Sequence, residues 1–222
     1  MEIYILVFIL GITHGFDVDH LAAITALASR GASKWETATL GFSFGFGHMM
    51  TLLIFGIIGL ITGRVIPQSF ERKAEIFGGS LLVLIGLMIL YELTKKNVYA
   101  HQHPHDHPEE PHSHMHIHNR HPHSNKHIHT HQATLLGGLF AFSGLHSLLI
   151  MVPIVIAANI WEGSSYILVF GVGVIISMSL YGLLIGKFMN ITRDSVLINR
   201  ATSILTALIS ITLGIYWIGV RL

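Results

Sequence analysis

Four ionisable residues fall within seven positions in His14-Gly15-Phe16-Asp17-Val18-Asp19-His20, inside an otherwise apolar run. Imidazole and carboxylate without sulfur suit nickel, cobalt or zinc and are a poor donor set for copper(I). The same groups could also carry protons. On a straight helix turning about 100° per residue, His14, Asp17 and His20 share an arc of about 120° and can face one cavity. Asp19 then points roughly 100° away from His20, and it joins the group only if the helix is distorted near Gly15 or if it acts as an outer partner of a ligand. His48, in Gly45-Phe46-Gly47-His48-Met49-Met50-Thr51, supplies a third imidazole from a second segment. His146, in Ser143-Gly144-Leu145-His146, is a further candidate ligand or pathway residue, with a polar packing contact as its alternative.

The surroundings of these residues are those of a membrane protein. The chain has 222 residues, of which 51% are hydrophobic and 11% charged. Six stretches, near 3–28, 38–63, 74–93, 133–158, 165–189 and 199–220, approach or exceed the roughly 20 residues a helix needs to cross hydrocarbon. They lack the alternation of barrel strands, and only helices then satisfy their backbones in lipid. The expected fold is all-α, a polytopic protein of six transmembrane helices in a prokaryotic cell membrane. The first stretch has no basic leader and runs into Asp17 and Asp19 instead of a cleavage site, so it reads as an uncleaved span. Each carboxylate near the bilayer centre costs about 2.5–3.5 kcal/mol on insertion scales, while a leucine returns only about 0.3–0.6 kcal/mol. A span bearing two of them has a use for them.

Three segments follow: a three-helix half over 1–93, a histidine-rich loop over 94–132, and a second three-helix half over 133–222. A shift of 126 residues lays Phe44-Gly45-Phe46-Gly47 on Phe170-Gly171-Val172-Gly173, Thr51 on Ser177 and Gly56 on Gly182. Three spans per half is an odd number, so the halves are expected to be a 3+3 inverted repeat, the arrangement by which transporters place a site at the midplane. Thirteen of the seventeen histidines lie between His101 and His131. That loop is polar and proline-interrupted, which predicts disorder without metal and a flexible chelator of several ions, a buffer or sensor.

The motif His14-Gly15-Phe16-Asp17-Val18-Asp19-His20-Leu21-Ala22-Ala23-Ile24 resembles the signature of the nickel/cobalt transporter family, a histidine, four residues, then aspartate-histidine on an early helix. Gly45-Phe46-Gly47-His48-Met49-Met50-Thr51 is similar to that family's second-helix motif. The likeness covers about residues 10–52. It implies that His14, Asp17, Asp19, His20 and His48 bind and select nickel or cobalt, as substrate rather than as a resident prosthetic group. The short chain and its histidine-rich loop look more like the compact relatives, which include nickel/cobalt efflux proteins and membrane accessory proteins of urease.

The expected function is transmembrane transport of divalent nickel or cobalt, in either direction, and not catalysis. Two other classes compete: a membrane metallochaperone serving a nickel enzyme, and an intramembrane metalloenzyme, for which no nucleophile or acid–base pair stands beside the cluster. The absence of cysteine removes thiolate sites and disulfides. A net charge of +1 without a basic stripe gives no nucleic-acid partner. The expected partners are the metal ion, the bilayer, and either a second copy of the chain or nickel-enzyme assembly factors. Nine basic residues (Arg30, Lys34, Lys95, Lys96, Arg120, Lys126, Lys187, Arg193, Arg200) fall on one side of six spans, against Arg64, Arg72, Lys73 and Arg221 on the other. The bias puts the histidine-rich loop in the cytoplasm and both termini outside. In this cysteine-free chain, Ser124→Cys and Ser69→Cys are therefore expected to react with an impermeant thiol reagent from opposite sides of sealed cells. Labelling of both from outside contradicts the orientation.

Overall fold

The computed structural model describes residues 1–28, 33–62, 68–94, 99–105, 112–118, 130–143, 157–191 and 196–222. Among them are seven helices and one small sheet, in the order α1 (Glu2–Gly15), α2 (Val18–Ala28), α3 (Lys34–Thr62), α4 (Gln68–Thr94), β1 (Tyr99–His105), β2 (His112–His118), α5 (Thr130–Ser143), α6 (Ile160–Ile191) and α7 (Val196–Arg221). The chain divides into a helical unit, Met1–Leu90 with Ile128–Leu222, and a small unit, Tyr91–His127.

The helical unit is all-α and inverted in polarity relative to a water-soluble domain. Its buried side chains include His14, Asp19, His20, Thr25, Thr37, Ser43, His48 and Ser177, while Ile54, Ile58, Leu84, Leu87, Leu180 and Leu184 are exposed. Such a surface is stable against lipid and not against water. Among the described residues, four helices are long and apolar enough to span a membrane: Lys34–Thr62, Arg72–Thr94, Ile160–Ile191 and Arg200–Arg221. The expected continuous first span over 3–28 is instead two helices, α1 and α2, bent by 53° across a short break; counted as one, they make a fifth span. Of the expected fourth span, α5 accounts for residues up to Ser143, and residues 144–156 lie outside the described residues.

Two long helices form the spine. Ser33 caps α3, its Oγ accepting from Glu36 N at 3.3 Å while Ser33 N donates to Glu36 Oε2 at 2.6 Å. Asn159 caps α6 in the same sense, Oδ1 accepting from Glu162 N at 2.9 Å. Capping boxes of this kind satisfy backbone donors that helix ends leave orphaned. The spine helices run antiparallel, since Thr37 meets Gly182, Gly41 meets Met178, Gly45 meets Ile175, Met49 meets Gly171 and Gly56 meets Ile167. α1 lies alongside α6 in parallel, Tyr4 meeting Ser165, Gly11 Phe170 and Gly15 Ser177, and a Cβ on Gly11 would strike the Phe170 carbonyl and one on Gly173 the Phe8 carbonyl. α5 meets α3 through Gly137 at the Phe44 carbonyl and Gly47 at the Thr134 carbonyl. Lipid gives helices no hydrophobic reason to associate, so backbones brought into direct contact by small residues supply the dispersion that holds the bundle. α4 and α7 meet at Gly79 and Gly214, and the Arg221 guanidinium forks onto Glu75, with Nη2 donating to Oε1 at 3.0 Å.

In the small unit, where the proline-interrupted composition predicts disorder, β1 and β2 pair antiparallel with Tyr99 opposite His118 and His105 opposite His112.

Gly41→Leu and Gly173→Leu are expected to cost about 1–3 kcal/mol each through overpacking, read as a lowered thermal unfolding midpoint in detergent. Gly219, with nothing within 4 Å of its Cβ position, accepts the same change without effect. Equal midpoints for all three variants would contradict the backbone-contact account.

Candidate metal centre

The break between α1 and α2 builds the site. α1 closes with Phe16 N donating to Thr13 O at 3.1 Å and Asp17 N to His14 O at 3.0 Å, and α2 opens with Leu21 N donating to Asp17 O at 3.0 Å. A Cβ on Gly15 would run into Ser177 Oγ of α6. Only glycine lets the end of α1 lie flat against α6 there. The bend brings His20, six residues on, back over the end of α1, where its Nδ1 lies 3.1 Å from the His14 carbonyl. A carbonyl only accepts, so Nδ1 carries the proton and the neutral ring presents Nε2 as a lone pair. His20 Nε2 is buried and has no hydrogen-bond partner.

His48 enters from the middle of α3, its Nε2 3.2 Å from His14 Nε2. Metal–imidazole bonds of about 2.0–2.1 Å set two ligand nitrogens on one ion roughly 2.9–3.4 Å apart for angles between square and tetrahedral, so this spacing suits a shared cation. One nitrogen each of His14, His20 and His48 lies within 4.8 Å of the others, and all three residues are buried. The rings pack edge to face or tilted, with centroids 4.9 Å (His14–His20), 5.2 Å (His14–His48) and 4.7 Å (His20–His48) apart. Phe170 lies against His14 and Phe44 against His20. A buried imidazole nitrogen without a partner, such as His20 Nε2, is costly in an apolar interior, and a divalent ion taking its lone pair removes that cost. The donor set fits such an ion.

The two aspartates exchange the roles that a straight helix gives them. Asp19 is buried in the first turn of α2, its Oδ2 3.7 Å from His20 Nε2, whereas the side chain of Asp17 is 53% exposed. The 53° bend re-aims the two residues, which is the distortion near Gly15 that Asp19 requires. Asp17 Oδ2 still lies 2.7 Å from His14 Nδ1, off the N–H direction, close enough to act on that ring as a charge. Asp17, Asp19 and His20 together form a second group whose ligand atoms lie within 4.8 Å of one another. The carbonyl end of α1 also faces this region, and helix C-termini favour cations. His146 lies outside the described residues.

Sequence reasoning passed over two contacts. Ser177 adjoins the break, its hydroxyl donating to Gly173 O or Val174 O at 3.1 and 3.0 Å. Tyr181 ties α2 to α6: Thr25 Oγ1 donates to Leu21 O at 2.7 Å, so the 2.7 Å contact between Thr25 Oγ1 and Tyr181 OH has the tyrosine as donor. A polar residue one turn along the helix from Ser177 was the available signal. Thr25, Thr37, Ser43 and Ser177 are buried hydroxyls from the level of the break toward the end of α2, while toward the start of α1 the buried residues include Val7, Leu52, Ile167, Phe170 and Tyr166, whose hydroxyl donates to Glu162 Oε1 at 2.6 Å.

Residues 20–216 match the family described as "Cytochrome C biogenesis protein transmembrane region". The "Urease accessory protein UreH" of Bacillus sp. (strain TB-90) is 28% identical over 217 residues, 98% of this chain and 90% of that protein. Shorter likenesses join the chain to proteins named "Putative manganese efflux pump MntP". That of Proteus mirabilis is 43% identical over 24% of this chain and 27% of its own length, and that of Rhodopseudomonas palustris 35% identical over 36% and 38%. No solved structure matches the chain.

Proposed function

The chain belongs to the family of the cytochrome C biogenesis protein transmembrane region and is a multi-pass integral membrane protein; from that premise we propose that it carries divalent nickel or cobalt across the membrane. The observation that supports this reading is the group of three buried imidazoles at a broken helix, with His20 held in the tautomer that offers Nε2. His14, His20 and His48 bind the ion. Asp19 neutralises its charge from within the bundle and Asp17 from the open side, and His146, from the fourth span, belongs to the same pathway. The choice of nickel or cobalt comes from the family that the His14–Ile24 and Gly45–Thr51 motifs resemble, and imidazole donors agree with it while suiting manganese less. The ion is cargo, no prosthetic group is needed, and the protein is not an enzyme. With no cysteine, its own side chains perform no thiol–disulfide step.

Movement of the ion follows from six spans in two inverted halves. The 126-residue shift carries the contact of Gly11 with Phe170 onto that of Gly137 with Phe44, and the contact of Gly173 with Phe8 onto that of Gly47 with Thr134. It also lays the cap Ser33-Lys34-Trp35-Glu36 on Asn159-Ile160-Trp161-Glu162. Equivalent contacts in both halves support alternating exposure of a midplane site as one half shifts against the other. The hydroxyl-lined side is the cytoplasmic approach under the orientation expected from the basic residues, and the histidine-rich segment raises local metal concentration there.

A second reading is favoured by the likeness to UreH along nearly the whole chain: the ion is handed to a nickel-enzyme assembly instead of crossing. Flux separates the two. In liposomes containing only this protein, nickel should cross, and His14→Ala, Asp19→Asn and His20→Ala should each lower the rate at least tenfold while leaving a monodisperse, helical protein. Wild-type flux in all three variants overturns the site, and absence of flux in the unaltered protein favours the handover reading.

A further inference from the structure

The two spine helices begin alike and are then fastened differently. The 126-residue shift that lays the cap of α3 on the cap of α6 also lays Leu40 on Tyr166 and, at the starts of the flanking helices, Tyr4 of α1 on Thr130 of α5. Since α1 meets α6 as α5 meets α3, Tyr4 with Tyr166 is the counterpart of Thr130 with Leu40.

At the α6 end both tyrosines are tied down. Tyr166 is buried and its hydroxyl donates to Glu162 Oε1 at 2.6 Å, while Ala158 N donates to Glu162 Oε2 at 2.9 Å. Ser165 Oγ gives its proton to Glu162 O at 2.7 Å, so in the 3.0 Å contact between Tyr4 and Ser165 the tyrosine hydroxyl donates, across from α1 to α6. The two rings meet edge to face with centroids 5.0 Å apart. At the α3 end Glu36 accepts from Ser33 N, and Thr39 Oγ1, the counterpart of Ser165, donates to Trp35 O at 3.0 Å. Leu40 has no hydroxyl to offer the Glu36 carboxylate, and Thr130 has no ring to set against Leu40.

We propose that Tyr4, Ser165, Tyr166 and Glu162 form a latch that holds the α1–α6 end of the bundle shut, so that the chain opens more readily at the α3–α5 end. This regulation of exposure rests on the transport reading, in which the intramembrane site is reached from each side in turn. The latched end is the outer one under the orientation expected from the basic residues. A hydroxyl donating to a carboxylate makes a bond roughly twice as strong as a neutral one, and 2.6 Å is within its usual range. Tyr166 turns away from α1 only by giving up that bond in an interior with no water to replace it. The tie from Tyr4 is lost whenever the start of α1 parts from α6. A conformer that keeps bonds its counterpart lacks is favoured by the free energy of those bonds. Side chains alone thereby bias two halves of similar backbone.

Thiol reactivity tests the latch, because the chain has no cysteine of its own. Val7 and Ala133 are a further equivalent pair, one turn beyond Tyr4 and Thr130 and both fully buried, so a cysteine at either position reports opening at its own end. On full-length Val7→Cys and Ala133→Cys proteins in detergent, a water-soluble thiol reagent should react more slowly at position 7 than at position 133. Adding Tyr166→Phe should raise the rate at position 7 about tenfold, the worth of one charge-assisted bond, and leave the rate at position 133 unchanged or lower. Tyr4→Phe, which removes only the tie to Ser165, should act in the same direction and less. Faster reaction at position 7 than at 133 in the unaltered background overturns the latch. So do rates that Tyr166→Phe and Tyr4→Phe leave unchanged, or a rise at both positions, which is general loosening of the bundle. The rates need no metal, and liposome flux is read separately. A chain that gives the expected rates yet moves no nickel keeps the latch and loses the transport reading, and one that moves nickel with equal rates at both ends loses the latch alone.

Discussion

A helix broken inside an apolar bundle must satisfy the backbone groups it exposes, and the rest of this structure depends on how that is done. In hydrocarbon there is no water to take up a free carbonyl, and each such group costs several kcal/mol, on the order of the whole stability of many domains. The His14 carbonyl is taken by Asp17 N and by His20 Nδ1. The second of these bonds has two consequences at once. It fastens α2 to the end of α1, and it commits the His20 ring to presenting Nε2 inward. A residue that repairs the break thereby becomes a candidate ligand.

That arrangement needs support from three other helices, and glycine provides it. Gly15 allows the end of α1 to sit against Ser177, and Gly41, Gly45, Gly171 and Gly182 bring α3 and α6 into backbone contact, so that His48 reaches His14. Aromatic rings close the sides. Phe44 and Phe170 lie against the imidazoles. Electrostatic attraction for a cation is strongest where water is excluded, so the apolar seal strengthens the same ligands that it shields.

How much of this was legible in the sequence depended on range. The apolar stretches and the grouping of His14, Asp17, Asp19 and His20 were visible because hydropathy and motif spacing are local properties. His48 was legible as a partner because its flanking glycines signal close helix approach. The roles of Asp17 and Asp19 were not, since they are set by a 53° bend beside which Gly15 packs against Ser177, a residue far away in the chain. The tie from Tyr181 to Thr25, 156 positions apart, was hidden for the same reason. In the histidine-rich segment, composition pointed to disorder, and the pairing between Tyr99–His105 and His112–His118 is a relation between residues that composition does not carry.

The central claim is that one nickel ion sits among His14, His20 and His48. X-ray absorption at the nickel edge tests it most directly, on full-length protein whose histidines outside these three are changed to asparagine, loaded with one equivalent of nickel. The account predicts three imidazole ligands, seen as their outer-shell scattering pattern, falling to two when His48 is changed to alanine. A spectrum with only water and carboxylate oxygens around the nickel, unaltered by that substitution, contradicts it.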